Sequence, residues 1–288
     1  MADPKAVYAM VARMRRIRKT MQAVQTWRRI DFRNVPGIFG NAMPKSGSHL
    51  VLQILQGISQ VAPFRCVEDS PIRMTTYEGR NRTTDEILRD LHRLKSGVIG
   101  WGYLRANTEY LEFFKQHPDL HSFFVYRDPR DQLISSIFYA VDIHTAHAQH
   151  DFYASIEMDA RITTAICGRD EPGLLHLPNI REQYDRYLDW LDCPNVFCLR
   201  FEDLIQECDD CLLTIFDNLE NGAFEIPIPR ADAFGIIKEA IRPEHSPTFR
   251  KGKAGGWREH FSESHKQMFK DVTGDLLIRL GYETDDYW

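Results

Sequence analysis

What the sequence lacks narrows the field first. No apolar run in the 288 residues approaches the roughly 18 that a membrane-spanning helix requires. No excess of basic charge is present either. The 36 Lys+Arg stand against 41 Asp+Glu, a net charge of −5, which argues against broad nucleic-acid binding through a basic face. Internal repeats and low-complexity linkers are missing. Six cysteines are too few for a disulfide scaffold in a chain this long, and the start shows no secretory pattern, so a reducing, cytoplasmic setting is expected. Cys208 and Cys211 form a lone C-x-x-C around Asp209 and Asp210, with no second pair to complete four ligands. No metal is expected there. The remaining composition, 43% hydrophobic and 27% charged, is that of an ordinary globular protein with mass enough for a sizeable core.

Residues 1–36 read as a segment of their own. The first 33 hold nine Lys/Arg and only two acids, Asp3 and Asp31. Val7, Met10, Val11, Met14, Ile17, Met21 and Val24 recur at helical spacing, which predicts a basic amphipathic helix. Such a helix suits weak contact with an anionic membrane surface or a partner. Asp3 and the shortage of large aromatics on the stripe favour the other arrangement, with the stripe packed on the domain and the arginines in water.

From residue 37 to 288 short apolar runs alternate with helical patterns. Strands are predicted at 37–43, 97–101, 122–126 and 195–199, and helices near 47–60, 84–95, 107–116, 129–143, 180–191, 203–219, 232–241 and 262–280. Strand-then-helix alternation makes a single α/β domain with a mainly parallel sheet flanked by helices. Ligands in such sheets bind beyond the carboxyl ends of the strands, so the loops after residues 43, 101, 126 and 199 carry the chemistry.

The first of these loops is Pro44-Lys45-Ser46-Gly47-Ser48-His49-Leu50. Pro44 ends the strand, Gly47 permits a tight turn and Ser48 can cap the next helix. Backbone N–H groups at a helix N-terminus beside one lysine make an anion cradle. It departs from the nucleotide loop G-x-x-x-x-G-K-S/T, because Gly40 stands five residues before Lys45 and Pro44 replaces the second glycine.

P-K-S-G-S/T after the first strand resembles the 5′-phosphosulfate loop of sulfotransferases that use 3′-phosphoadenosine 5′-phosphosulfate (PAPS). Two further elements appear in the same order. Tyr126-Arg127-Asp128-Pro129-Arg130-Asp131 with Ser135 resembles that family's Y-R-D/N-P-R-D…S element, and Phe249-Arg250-Lys251-Gly252-Lys253-Ala254-Gly255-Gly256-Trp257-Arg258 resembles its R-K-G-x-x-G-x-W-K/R loop. Arg200-Phe201-Glu202-Asp203-Leu204 is similar to its R-Y/F-E-D-L strand end, so the likeness spans residues 37–261.

The resemblance implies a P-loop-like sulfotransferase fold and transfer of a sulfuryl group from PAPS to a hydroxyl or amine of a small acceptor, with no metal required. It places Lys45, Ser46, Gly47, Ser48 and His49 at the 5′-phosphosulfate, and Arg127, Ser135, Arg250, Lys251 and Gly252 at the 3′-phosphate. A forked guanidinium with a hydroxyl two helical turns on suits that second phosphate. Ser46 would hold the Lys45 ammonium aside until the acceptor arrives. Phe201 and Phe234 would wall the adenine, since Leu50 stands where relatives carry an aromatic. The C-terminal pairing motif of cytosolic relatives is only echoed, by Arg258, Ser262, Glu263 and Gln267, and the oligomeric state stays open.

The family's basic histidine is the main departure. Gly100-Trp101-Gly102-Tyr103-Leu104 puts Tyr103 in its place, and an ordinary phenol, with a pKa near ~10, is a poor base at neutral pH. His144 and His147, past the 3′-phosphate helix, are the alternatives as catalytic groups, with the carboxylates Glu68 and Asp69 behind them. An ATP-dependent kinase and a catalytically inactive nucleotide-binding protein of the same fold are the competing readings.

Overall fold

The strand that starts the domain is buried along its whole length, as expected of the central strand of a parallel sheet covered on both faces. It is β1 (Gly37–Ala42) of a computed structural model that describes residues 4–28, 30–76, 78–206, 208–221, 226–246 and 253–288. Ahead of it lies α1 (Pro4–Thr26). Behind it come α2 (Ser48–Val61), the two-residue strands β2 (Cys66–Val67) and β3 (Ile72–Arg73), α3 (Thr84–Leu91), β4 (Val98–Tyr103), α4 (Thr108–Gln116), β5 (Leu120–Tyr126) and α5 (Pro129–Phe138). A π turn over Tyr139–Ile143 leads to α6 (His150–Ala154), α7 (Met158–Cys167), α8 (Ile180–Asp185) and β6 (Val196–Arg200). The chain then runs through α9 (Phe201–Gln206), α10 (Cys208–Asn221), α11 (Arg230–Ala240), α12 (Glu263–Thr273) and α13 (Leu276–Arg279).

The six strands are parallel in the order β2-β4-β1-β5-β6, with β3 also pairing β4 beyond β2. Period-two alternation splits β1 between two cores. Phe39 joins Phe114, Phe124 and Trp190 on one face, while Ile38 and Ala42 join Ile54, Leu55 and Phe216 on the other. Asn41, a polar residue inside this apolar strand, is paired at both its side-chain nitrogen and its oxygen. Its amide donates to Leu104 O at 2.9 Å and its carbonyl accepts from Leu104 N at 2.8 Å, which ties the end of β4 to the centre of the sheet.

Several boundaries differ from the sequence reading. β2 and β3 are too short to show any periodicity. The predicted 180–191 helix stops at Asp185 and resumes as a 3-10 turn at Leu188–Trp190. The predicted 262–280 helix is two helices, divided at Gly274 by its positive φ of 55°. The larger correction concerns α1. Its apolar stripe does not pack on the domain: Met10, Met14, Ile17, Met21 and Val24 are all 46–61% exposed. The inward face is basic instead. Arg16 pairs with Glu68 at 3.2 Å, and Lys19 holds Asp69 at 2.6 Å and Val67 O at 2.8 Å.

The start of α5 is fixed by a buried arginine. Arg130 is 2% exposed, lies between the Trp257 and Trp288 rings at 4.3 and 4.5 Å, and pairs with Asp128 at 2.7 Å and Glu283 at 2.6 Å. Removing it strands two carboxylates in a poorly solvated place. Arg130→Ala is therefore expected to destabilise the chain by about 3–5 kcal/mol, measured by denaturant unfolding. A loss under about 1 kcal/mol, the value of a surface pair, would show that this network is not buried in solution.

Candidate active site

The loop after β1 turns through two left-handed residues, Lys45 at φ 66° and Gly47 at φ 86°. Glycine adopts that conformation freely, and a Cβ at position 47 would run into the Phe201 ring. Lysine does not, so its backbone stores strain of about 1–3 kcal/mol that neighbours must hold. Two residues on the β5–α5 side do so: Gln132 Nε2 donates to Pro44 O at 3.1 Å and Arg127 Nη1 donates to Lys45 O at 3.1 Å. Gly47 caps α2 without any side-chain hydrogen bond. The first-turn amides of α2, at Ser48, His49 and Leu50, therefore open onto the cleft that these residues line. They form an anion cradle with the positive end of a helix behind it.

That cleft, about 1270 Å³, lies at the carboxyl ends of the strands, where the sequence placed it. It is basic although the chain as a whole is acidic. Lys45, Arg73, Arg105, Arg127 and Lys253 line it, against Asp131 and Glu259. Asp131 is already engaged, accepting from Gly255 N at 2.6 Å and Trp257 N at 2.8 Å. Its burial pushes its carboxyl above the ordinary range.

Arg127 joins the two walls. Besides Lys45 O, its Nη2 reaches Lys253 O at 3.4 Å, and its guanidinium covers the Phe201 ring at 4.6 Å. It is not spent on Asp128, whose carboxylate binds Arg130, nor on Asp131. The buried Arg127 Nε makes no hydrogen bond, with the Glu202 carboxylate 3.8 Å away at ion-pair distance. Ser135 lines the same cleft. Arg250, Lys251 and Gly252, expected at this place, lie outside the described residues.

The catalytic candidates line the same cleft. Lys45 Nζ sits 4.1 Å from the centroid of the Tyr139 ring. His144 stacks on that ring at 5.5 Å and 4°, and His147 meets it edge-on at 5.9 Å. Burial, reinforced by His144 and His150, pushes the His147 imidazole below its ordinary pKa. His49, 6.2 Å from the Trp101 ring, is pushed down by burial and by Lys45. Tyr103 shares a 2.8 Å hydrogen bond with Ser48, and burial raises its phenol further above neutrality.

Other expectations part from the geometry. Ser46 is fully buried, is not among the cleft-lining residues, and its Oγ has no hydrogen-bond partner, so it does not hold the Lys45 ammonium. Phe234 packs against the core on α11, below Lys238 at 5.9 Å, and stands apart from the cleft that Phe201 enters. Glu68 and Asp69 are taken by Arg16 and Lys19. Among the described residues no group of three His, Cys, Asp or Glu is placed to hold a metal ion. Tyr139, Trp101, Gln132 and Arg73 escaped the sequence reading as site residues: Arg73 and Tyr139 lie outside the motifs, and Trp101 and Gln132 lie inside them at positions the motifs leave unspecified.

A parallel sheet with this loop after its first strand and a basic cleft beyond its carboxyl edge is the sulfotransferase fold. Solved structures of this fold include the following two. One is mouse sulfotransferase SULT7A1 complexed with PAP, at 14% identity and a TM-score of 0.58, covering 91% of this chain and 92% of that one. The other is retinol dehydratase in complex with androsterone and the inactive cofactor PAP, at 15% identity and a TM-score of 0.55, covering 85% and 83%. No family model and no curated protein matches the chain by sequence.

Proposed function

We propose that the chain transfers the sulfuryl group of PAPS to a hydroxyl or amine of a small-molecule acceptor. The observation that supports this reading is two groups of anion-binding type in one cleft: the uncapped α2 N-terminus beside Lys45, and Arg127 beside the Lys253–Gly256 loop, with Ser135 lining the same cleft. Two phosphates on one nucleotide, at 5′ and 3′, match two seats, whereas ATP has nothing for the second. Pro44, standing for the second glycine of an ATP loop, further disfavours a kinase. The androsterone bound in retinol dehydratase illustrates a small-molecule ligand held on this fold. In this reading residues 37–288 are the transferase unit and 1–36 an appended segment that carries α1. The six cysteines are all free thiols, which supports a cytoplasmic setting.

Sulfuryl transfer is an in-line displacement in which the bond from sulfur to the 5′-phosphate oxygen breaks as a bond to the acceptor forms. Positioning and charge neutralisation do most of the work. Lys45 and the α2 amides meet the charge that develops on the leaving oxygen. Arg127 and Ser135, with Arg250, Lys251 and Gly252, hold the 3′-phosphate, and Phe201 walls the nucleotide. At the acceptor, His147 takes the proton. Its depressed pKa keeps the ring neutral at pH 7, and His144 and Tyr139 fix its side of the cleft. Tyr103 stays protonated and orients the acceptor through the hydroxyl it shares with Ser48.

Tyr103→Phe is accordingly expected to keep most of the maximal rate, while His147→Gln lowers it by about a hundredfold. In the wild type the rate should fall as pH drops through a pKa below the ordinary imidazole value, because protonation removes the base. That acid limb disappears in His147→Gln. A dead Tyr103→Phe beside an unaltered His147→Gln profile reverses the two roles. The transferase reading itself is tested with radiolabelled PAPS and a panel of phenols, alcohols and amines. Label appearing in an acceptor product supports it, and none appearing with any acceptor class, despite nucleotide binding, leaves the inactive-protein reading in its place.

A further inference from the structure

The outward face of α1 is a surface for which the transferase reading has no use. Met10, Met14, Ile17, Met21 and Val24 follow one another at spacings of four, three, four and three, so they form a single stripe, and each is about half exposed. The opposite face is pinned by the Arg16–Glu68 and Lys19–Asp69 pairs and the bond to Val67 O. The stripe thus points away from the body because charge, not apolar packing, holds the helix down. Arg13 and Arg18 flank the stripe and are exposed, as are Arg15 and Arg28. Between residues 4 and 30 there is no acid at all. The first 33 residues carry nine bases and two acids, +7, which leaves −12 for the other 255 residues of a chain whose net charge is −5.

We infer that α1 docks the protein on an anionic lipid surface, with the apolar stripe in the headgroup–acyl boundary and the flanking arginines on the phosphates. Charge complementarity selects this occupant. A second copy would suit the spacing of the stripe, which is that of a coiled-coil seam, but it would bring the same arginines and no acid to answer them. A bilayer needs no groove and accepts a convex helix of 23 residues, about 35 Å long, along its whole length. Unbranched methionines adapt to a fluid apolar medium, and arginine stems reach sideways to the headgroups. The acidic remainder of the chain is repelled by the same surface, so contact is confined to α1 and the protein binds in one orientation. Among the described residues no helix is long and apolar enough to cross the membrane, so this is surface docking.

Co-sedimentation of the full chain with vesicles tests the inference. Vesicles of phosphatidylcholine with about one-third phosphatidylserine are expected to retain it, phosphatidylcholine alone is not, and added salt should release it. Arg13→Gln/Arg15→Gln/Arg18→Gln should weaken binding about a hundredfold, at about fivefold per charge. Ile17→Asp/Met21→Asp should abolish binding with an unchanged circular dichroism spectrum, since both positions face solvent. Three results would overturn the inference. One is equal binding to uncharged vesicles. Another is no vesicle binding by a wild type that sediments as a dimer and becomes monomeric in Ile17→Asp. The third is no vesicle binding by a protein that polyglutamate beads retain, which points to an acidic protein partner.

Discussion

Lys45→Ala is expected to lower the maximal rate of sulfuryl transfer by about a thousandfold while weakening nucleotide binding only about threefold. The two effects separate because the ammonium matters most as charge develops on the leaving phosphate oxygen, and less to a ground state that the α2 amides already hold. The geometry supports that division. The backbone of Lys45 is kept in its left-handed turn by Arg127 and Gln132, so the loop has supports that do not depend on the lysine side chain. The Nζ rests on the Tyr139 ring, beside His144 and His147. Loss of this side chain therefore removes the charge and leaves the cradle. Single-turnover rates with bound PAPS are the measurement. Turnover within threefold of wild type would remove Lys45 from the chemistry.

The second large effect is expected at Arg127. Arg127→Ala should erase the preference for adenosine 3′,5′-bisphosphate over the nucleotide lacking the 3′-phosphate, a loss of about 1.5–3 kcal/mol, or about 13–160-fold in affinity. Arg127 also supports Lys45 O and Lys253 O, so its loss loosens both walls and lowers affinity for any nucleotide. The ratio of the two affinities cancels that shared loss and isolates the second phosphate. Arg250→Ala is expected to lower the same ratio. A wild-type ratio in both variants would move the 3′-phosphate seat elsewhere.

The frame of the molecule was legible in the sequence because its central strands are fully buried. β1, β4 and β5 appear as short, mostly apolar runs, Pro44 ends the first of them, and Gly47 and Pro129 mark where helices begin. The cleft followed from topology alone, and Lys45, Arg127, Ser135, His144 and His147 all line it. What escaped is what periodicity cannot encode. Tyr139 lies in a helical stretch, and only the tertiary fold brings its ring under Lys45. Arg73 sits on a two-residue strand whose existence depends on pairing with β4. Ser46 and Phe234 show the converse. A motif places a residue along the chain, but the direction of its side chain is decided by packing, which buries Ser46 and sends Phe234 to the core.

For α1 the amphipathic pattern was visible, and its orientation was not. An apolar stripe ordinarily faces the core, but here Glu68 and Asp69 stand where the helix lands, and two ion pairs turn the basic face inward. Acids 50 and 52 residues away in sequence decide which side of a helix sees water.

The central claim, two anion seats matched to one nucleotide, is tested most directly by calorimetric titration of the wild type with adenosine 3′,5′-bisphosphate, AMP and ATP. The two-seat cleft predicts that the bisphosphate binds at least about tenfold tighter than AMP, and tighter than ATP despite ATP's greater charge. ATP binding as tightly as the bisphosphate, or AMP binding equally well, would contradict it.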